Sequence, residues 1–374
     1  MSIRPMSSGQ SITGNNRLLL AISLRQNITR LKSWIQALTK DQQSIRVIRF
    51  AVGVTLAVTI ALGIAWPLAF LTPVLTAVIL AMPLPVPPIR AGLTNMFYTV
   101  LAFGIAVVFT LFLLPYPLVY IPMLGLALFQ IYYLLNRGGP FWFVLMALVA
   151  ILILPLLGKV HESLAFGFAL GFVWSGWLTI FMIWLAHLLV PDPIGGPLLP
   201  KRPGFQAGYS PVAAQAALKS TVVVLPLAVI FISFDWISQL LVMVFAAIFT
   251  LAPDITKGKA AGVNSVTSTL IGGLAACVFY ILLLAAPQFY FFIALMLFAT
   301  LIFGTIIFSG KPYAKYYGSA FTAMFILVNS STADGADFTA NFILRVLFIT
   351  LATIYVVVSL IVLDRYWPRV KIKS

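Results

Sequence analysis

Long apolar runs, each closed by a proline, a glycine or a few charges, follow one another from Arg46 to Pro368. A helix crosses a bilayer with about 20 apolar residues. On that measure the first half predicts spans over Arg46 to Trp66, Pro67 to Leu84, Ala91 to Leu114, Pro117 to Leu135, Pro140 to Leu157 and Ser163 to Val190. The second half predicts Ala213 to Ser233, Trp236 to Ala252, Ala261 to Leu284, Gln288 to Phe308, Lys315 to Val328 and Phe338 to Leu363. The expected fold class is therefore an all-α polytopic membrane protein of about twelve transmembrane helices. Ahead of the first span, Leu18, Ile22, Ile28, Leu31, Ile35 and Leu38 recur at near-helical spacing among Arg17, Arg25, Arg30 and Lys32. That pattern predicts a helix lying on an anionic membrane surface.

Composition agrees: 62% of the 374 residues are hydrophobic and 8% charged, against roughly 25% charged in soluble domains. The excess of 23 Lys and Arg over 8 Asp and Glu raises the alternative of a nucleic-acid binder. The positions of the charges exclude it. All the cations except Lys159 and Arg345 fall outside the spans at one alternating phase, including Arg90, Arg137, Lys257, Lys259 and Lys311, or near the basic ends of spans. By the positive-inside rule this phase is cytoplasmic, with both termini inside. Neither a cleaved signal peptide nor a disulfide is expected, since the single cysteine, Cys277, stands alone in an apolar run.

The chain also repeats itself. Pro83 matches Pro253, Ala91-Gly92 matches Ala261-Gly262, and Arg49 matches Lys219, each 170 residues apart. Arg137 matches Lys311 at 174, and Pro191 matches Pro368 at 177, which sets His187 against Asp364. One slowly drifting offset predicts a tandem 6+6 duplication of a six-span unit. Because six is even, both copies cross in the same sense, as parallel repeats about an axis along the membrane normal, and a substrate path commonly lies between such repeats. The expected organisation is a cytoplasmic N-terminal region at 1–45, a first six-helix repeat at 46–191, a linker at 192–212, a second repeat at 213–368 and a tail at 369–374.

"IRFAVGVTLAVTIALGIAWPLAFLTPVLTAVILAMPLP", with "LLNRGGPFW" and "WLAHLLVPDP" further on, resembles the fusaric-acid-resistance-like superfamily, which includes bacterial aromatic acid exporters and the plant aluminium-activated malate transporters. The resemblance runs from about Arg46 to Pro368 and implies an inner-membrane exporter of small anionic or aromatic compounds. It also implies a periplasmic adaptor and an outer-membrane channel as partners. The chain departs from the larger exporters in having only the short segment Pro191 to Ser210 between its halves.

The candidate chemistry is that of a path for anions. Arg90 with Lys257 or Lys259, and Arg137 with Lys311, are cation pairs at matched positions that would draw anions into an inner vestibule, although each also serves as a topological anchor. Asn95 and Asn264 offer amide donors to a carboxylate, or cap helices. Arg345, about two turns into the last span, needs a partner or a wet path: it either snorkels towards Asp334 or Asp337 at the outer surface or serves a periplasmic anion exit. Asp254, His187 and Asp364 are candidates for proton coupling, and Asp254 is equally placed to pair with Lys257 or Lys259. Gly92, Gly104, Gly262, Gly272 and Gly273 are expected to let helices approach closely. No phosphate-cradling loop and no zinc motif occurs, so neither enzymatic activity, cofactor nor metal is expected. A passive anion channel and a transport-inactive scaffold stand as alternatives to the exporter.

Overall fold

A computed structural model describes residues 42–64, 68–82, 84–191, 205, 208–235, 243, 247, 255–332 and 338–366, with backbone alone at 255–262, 330–332, 338–342, 345, 346, 349, 353 and 364. The expected surface helix before Lys40 and nearly all of the expected span over Trp236 to Ala252 lie outside those residues. Within them the chain is all helix and turn. The helices are α1 Gln42–Gly63, α2 Leu71–Leu80, α3 Ile89–Leu113, α4 Pro117–Asn136, α5 Phe141–Val160 and α6 Glu162–Leu189, followed by α7 Pro211–Ser233, α8 Ile255–Ala285, α9 Phe289–Ile307, α10 Ala314–Thr332 and α11 Phe338–Tyr366. Eight of them are long and apolar enough to cross a membrane. This is a multi-pass membrane protein.

Local chemistry sets the helix ends. Pro117 and Pro211 open α4 and α7 at the first turn, where a missing N–H costs nothing. Ser210 caps α7 by accepting from the Ala213 amide, and His161 caps α6 by accepting from the Ser163 amide. Gly138 after α4 and Gly310 after α9 adopt φ of 80° and 69°, the left-handed turn that ends a helix most cheaply at glycine.

Two apolar cores hold the bundle. In one, Leu124, Leu128 and Tyr132 of α4 meet Val224 and Ala228 of α7, with Met243 and Ala247 beside them, and the Tyr132 hydroxyl donates to the Ala247 carbonyl at 3.0 Å. In the other, Phe50 of α1 is inserted edge-on between Phe308 and Phe321, with ring centroids 6.3 and 5.4 Å away. α7 therefore packs on α4, and α1 on α9 and against Phe321 of α10. The pairings recur in order along the chain: α3 on α5 and α8 on α10, α3 on α6 and α8 on α11, α4 on α7 and α9 on α1.

At the second expected span the structure is more particular than the sequence. Pro67 to Leu84 reads as one crossing, but α2 has only ten residues and rises about 15 Å, half of the bilayer's hydrocarbon core. Beyond it Leu84–Pro88 form no regular element, and α3 starts only at Ile89. Proline supplies the cause, since Pro85, Pro87 and Pro88 lack amide donors and each pushes its predecessor out of the helical region. Conversely, α8 begins at Ile255, ahead of the expected Ala261, and so takes in Lys257 and Lys259.

Candidate functional site

The broken second span is lined by hydroxyls rather than by charge. On α2 and α6, Thr72 donates to the Ser175 carbonyl at 3.4 Å, the Ser175 hydroxyl donates to the Leu68 carbonyl at 3.2 Å, and the Thr179 hydroxyl, which donates to the Ser175 carbonyl at 2.7 Å, lies 3.4 Å from the Thr72 carbonyl. Thr76, one turn further along α2, is fully buried, and its hydroxyl has no partner among the described residues. Buried polar atoms of this kind normally find water or a ligand. Non-helical backbone at membrane depth persists only inside protein or along a wet path. Here the non-helical segment rests on protein, and the Trp184 indole N–H donates to the Pro87 carbonyl at 3.1 Å.

The α3 start follows directly. Pro88 precedes it in an extended conformation and gives no side-chain cap, so the first amides of α3 point outward unassisted. Arg90 is its second residue and is exposed. Gly92 lies against Trp184 and Ile180 of α6 so tightly that a Cβ there would strike the indole ring, which ties the helix start to α6. Lys257 and Lys259 stand at the third and fifth positions of α8. A cation in the first turn of a helix opposes the macrodipole and lowers helix stability by about 0.3–1 kcal/mol. Both helix starts therefore carry positive charge that their own stability does not favour.

The remaining candidates are spread more widely. Asn95 and Asn264 are half-buried, one on each of α3 and α8. The Asn95 carbonyl accepts from Thr99 at 2.9 Å, and the Thr99 hydroxyl accepts from the Trp142 indole at 3.0 Å, which links α3 to α5. Arg137 caps the end of α4 with its guanidinium over the Tyr133 and Phe205 rings, at 5.3 and 4.6 Å. Lys311, beyond α9, is exposed with its ammonium over the Tyr313 ring at 5.6 Å. Thus Arg137 follows α4, which packs on α7, and Lys311 follows α9, which packs on α1. His187 is buried near the end of α6, its Nδ1 2.8 Å from the Ile183 carbonyl. Asp364 and Arg345 are placed on α11 by backbone only, and Asp254, Asp334 and Asp337 lie outside the described residues.

Sequence reasoning missed two buried cations. Arg49 in α1 and Lys219 in α7 keep only 4% and 3% of their surface exposed. The Arg49 Nε donates to the carbonyl of Val190, the residue that ends α6, at 2.9 Å. Cationic capping of a helix C-terminus is favourable on hydrogen-bonding and dipole grounds alike. The signal was present, because these two residues match at 170, but a cation near a span end reads first as an anchor. Lys159, the cation at the opposite end, pairs with Asp235 at 2.6 Å and donates to the Ile232 carbonyl at 2.7 Å, tying α5 to the end of α7.

Of the expected packing glycines, Gly92 and Gly272 lie in tight contacts, whereas a Cβ on Gly104 would meet open space. Gly104 is thus not a packing residue, because it sits on the outward face of α3.

A model of a family described as a protein of unknown function, DUF2955, matches residues 46–186, from early in α1 to near the end of α6. No curated protein and no solved structure matches the chain.

Proposed function

We propose that the protein is an inner-membrane exporter of small anionic compounds, built as two parallel six-helix halves with both termini in the cytoplasm. The observation that carries this reading is the positive start of the third helix in each half, with Arg90 on α3 and Lys257 and Lys259 on α8. In both halves it follows a proline-marked exit from the second span, at Pro83 and Pro253. Helix dipole and side-chain charge there have the same sign, and clefts of one sign concentrate counter-ions.

Three further observations support the twofold organisation. The helix pairings recur in the same order in both halves, α7 packs on α4 as α1 packs on α9, and Arg49 and Lys219 are buried at matched positions. The family match spans α1 to α6, the extent of one proposed half. Substrate would enter between the helix starts and cross along the hydroxyl-lined α2–α6 boundary. An inside-negative membrane potential favours anion exit by about 2.3 kcal/mol per charge per 100 mV, so the flux needs no buried carboxylate to drive it.

The reading is tested with purified protein in liposomes loaded with aliphatic or aromatic carboxylates under an imposed potential. Efflux of at least one carboxylate class should depend on protein and rise with the potential. Correctly inserted protein that moves none of them would leave the scaffold reading. Flux of every small inorganic anion at equal rates would favour the channel.

A further inference from the structure

We propose that a lateral cavity between α3, α4 and α5 is a built site for one acyl chain of an anionic phospholipid, with the phosphate held at the Arg137 end. The cavity encloses about 340 Å³. Four alanines among its lining residues leave room for it: Ala102 and Ala106 on α3, Ala127 on α4 and Ala147 on α5. A dry apolar cavity of about 150 Å³ already binds benzene, so a void more than twice that size in contact with hydrocarbon fills with it.

Topology opens the cavity to lipid. α3 packs on α5 whereas α4 packs on α7, so the two helices are tied at the turn where the Tyr116 amide donates to Leu113 at 2.9 Å and diverge from there. Phe109 against Tyr120, 5.6 Å between centroids, closes the tied end. On the open side Ile105 is 52% exposed and Gln130 is exposed, although both line the cavity. Only 28% of the α3 span and 22% of the α4 span are buried, so the described residues leave most of both apolar helices uncovered.

The occupant's head group is set by charge. Gln130 and Leu134 line the cavity on α4, and Arg137 follows on the same face seven residues after Gln130, about 10 Å along the axis. A chain lying in the cavity would run from mid-membrane past the Gln130 amide towards Arg137, whose guanidinium lies over Tyr133 and Phe205. That matches an acyl chain, its ester region and a phosphate. Guanidinium binds phosphate oxygens through paired donors. The proposal depends on the transport reading only for the choice of the inner leaflet, whose anionic lipids attract such cations.

The test uses full-length protein in detergent with phosphatidylglycerol and phosphatidylcholine added together, and counts retained phospholipid by native mass spectrometry. Wild type should hold one phospholipid, preferentially phosphatidylglycerol. Ala106→Phe, which fills the cavity, should lose it, whereas Gly104→Phe, which adds the same bulk to the outward face, should keep it. Arg137→Gln should retain a lipid but lose about fivefold in preference for the anionic head group. Equal retention by wild type and Ala106→Phe overturns the proposal, as does an unchanged preference in Arg137→Gln. If Ala106→Phe fails to fold, phosphatidylglycerol carrying a mid-chain photoreactive diazirine decides with the wild type alone. Labelling concentrated on peptides around 102–109 and 127–134 supports the site, and labelling spread evenly over the exposed helices contradicts it.

Discussion

Gly272→Ala is expected to destabilise the protein by about 3 kcal/mol, the upper end of the usual range for added core methylenes. A Cβ at Gly272 would collide with the Ala320 carbonyl and come within 2.9 Å of the Ala323 Cβ and 3.0 Å of the Met324 amide nitrogen. Two of those three atoms belong to the α10 backbone, which has no rotamer to change. The helices α8 and α10 must then move apart along the contact that holds one side of the second core. The intrinsic gain from replacing a helical glycine by alanine, about 1 kcal/mol, does not offset that movement. Gly104→Ala provides the opposite sign. It has the same intrinsic gain and meets open space, so it should be neutral or slightly stabilising. Thermal unfolding in detergent separates the two. Equal midpoints for Gly272→Ala and Gly104→Ala would show that α8 and α10 do not approach as closely as described.

The second large effect is functional. Arg90→Gln combined with Lys259→Gln should reduce anion efflux about tenfold, because clefts of one sign raise local counter-ion concentration and on-rates by factors of 10 to 1,000. The loss should shrink as salt rises, since screening falls within about 8 Å at physiological ionic strength. Topology supplies the rival cause, because removing cations also weakens the positive-inside signal. Efflux is therefore normalised to correctly oriented protein. Lys371→Gln with Lys373→Gln, on the C-terminal tail, removes the same charge elsewhere and should leave flux unchanged. Arg90→Lys should restore most of it. Normalised efflux in the double Gln variant equal to wild type would reduce Arg90 and Lys259 to anchors.

The membrane class and most helix positions were legible because apolar length alone decides a bilayer crossing. Phe141–Val160 and Pro211–Ser233 fall within a few residues of their expected spans, and proline or a capping serine marks their starts. The sequence misled at the second span. Hydropathy continues from Leu71 through Val86, and only the spacing of Pro83, Pro85, Pro87 and Pro88 tells that the helix stops halfway. Contacts between distant helices were illegible in principle. Nothing in a period of 3.6 residues says that Phe50 enters a ring cluster of α9 and α10, or that Arg49 turns inward to the end of α6. Arg49 is buried and Arg90 exposed, although both are single cations near the ends of apolar runs. That difference is made by α6 packing over one and leaving the other open.

The central claim, a positive inner entrance formed by both halves, is tested most directly by the charge selectivity of a thiol placed inside it. In a Cys277→Ser background, Asn95→Cys, five residues beyond Arg90 on α3, is reacted with methanethiosulfonates of equal size and opposite charge, applied from the cytoplasmic side. The anionic reagent should react about tenfold faster than the cationic one at low salt, and adding Arg90→Gln and Lys259→Gln should bring the two rates together. Equal rates for the two reagents in the otherwise unaltered protein would contradict the claim.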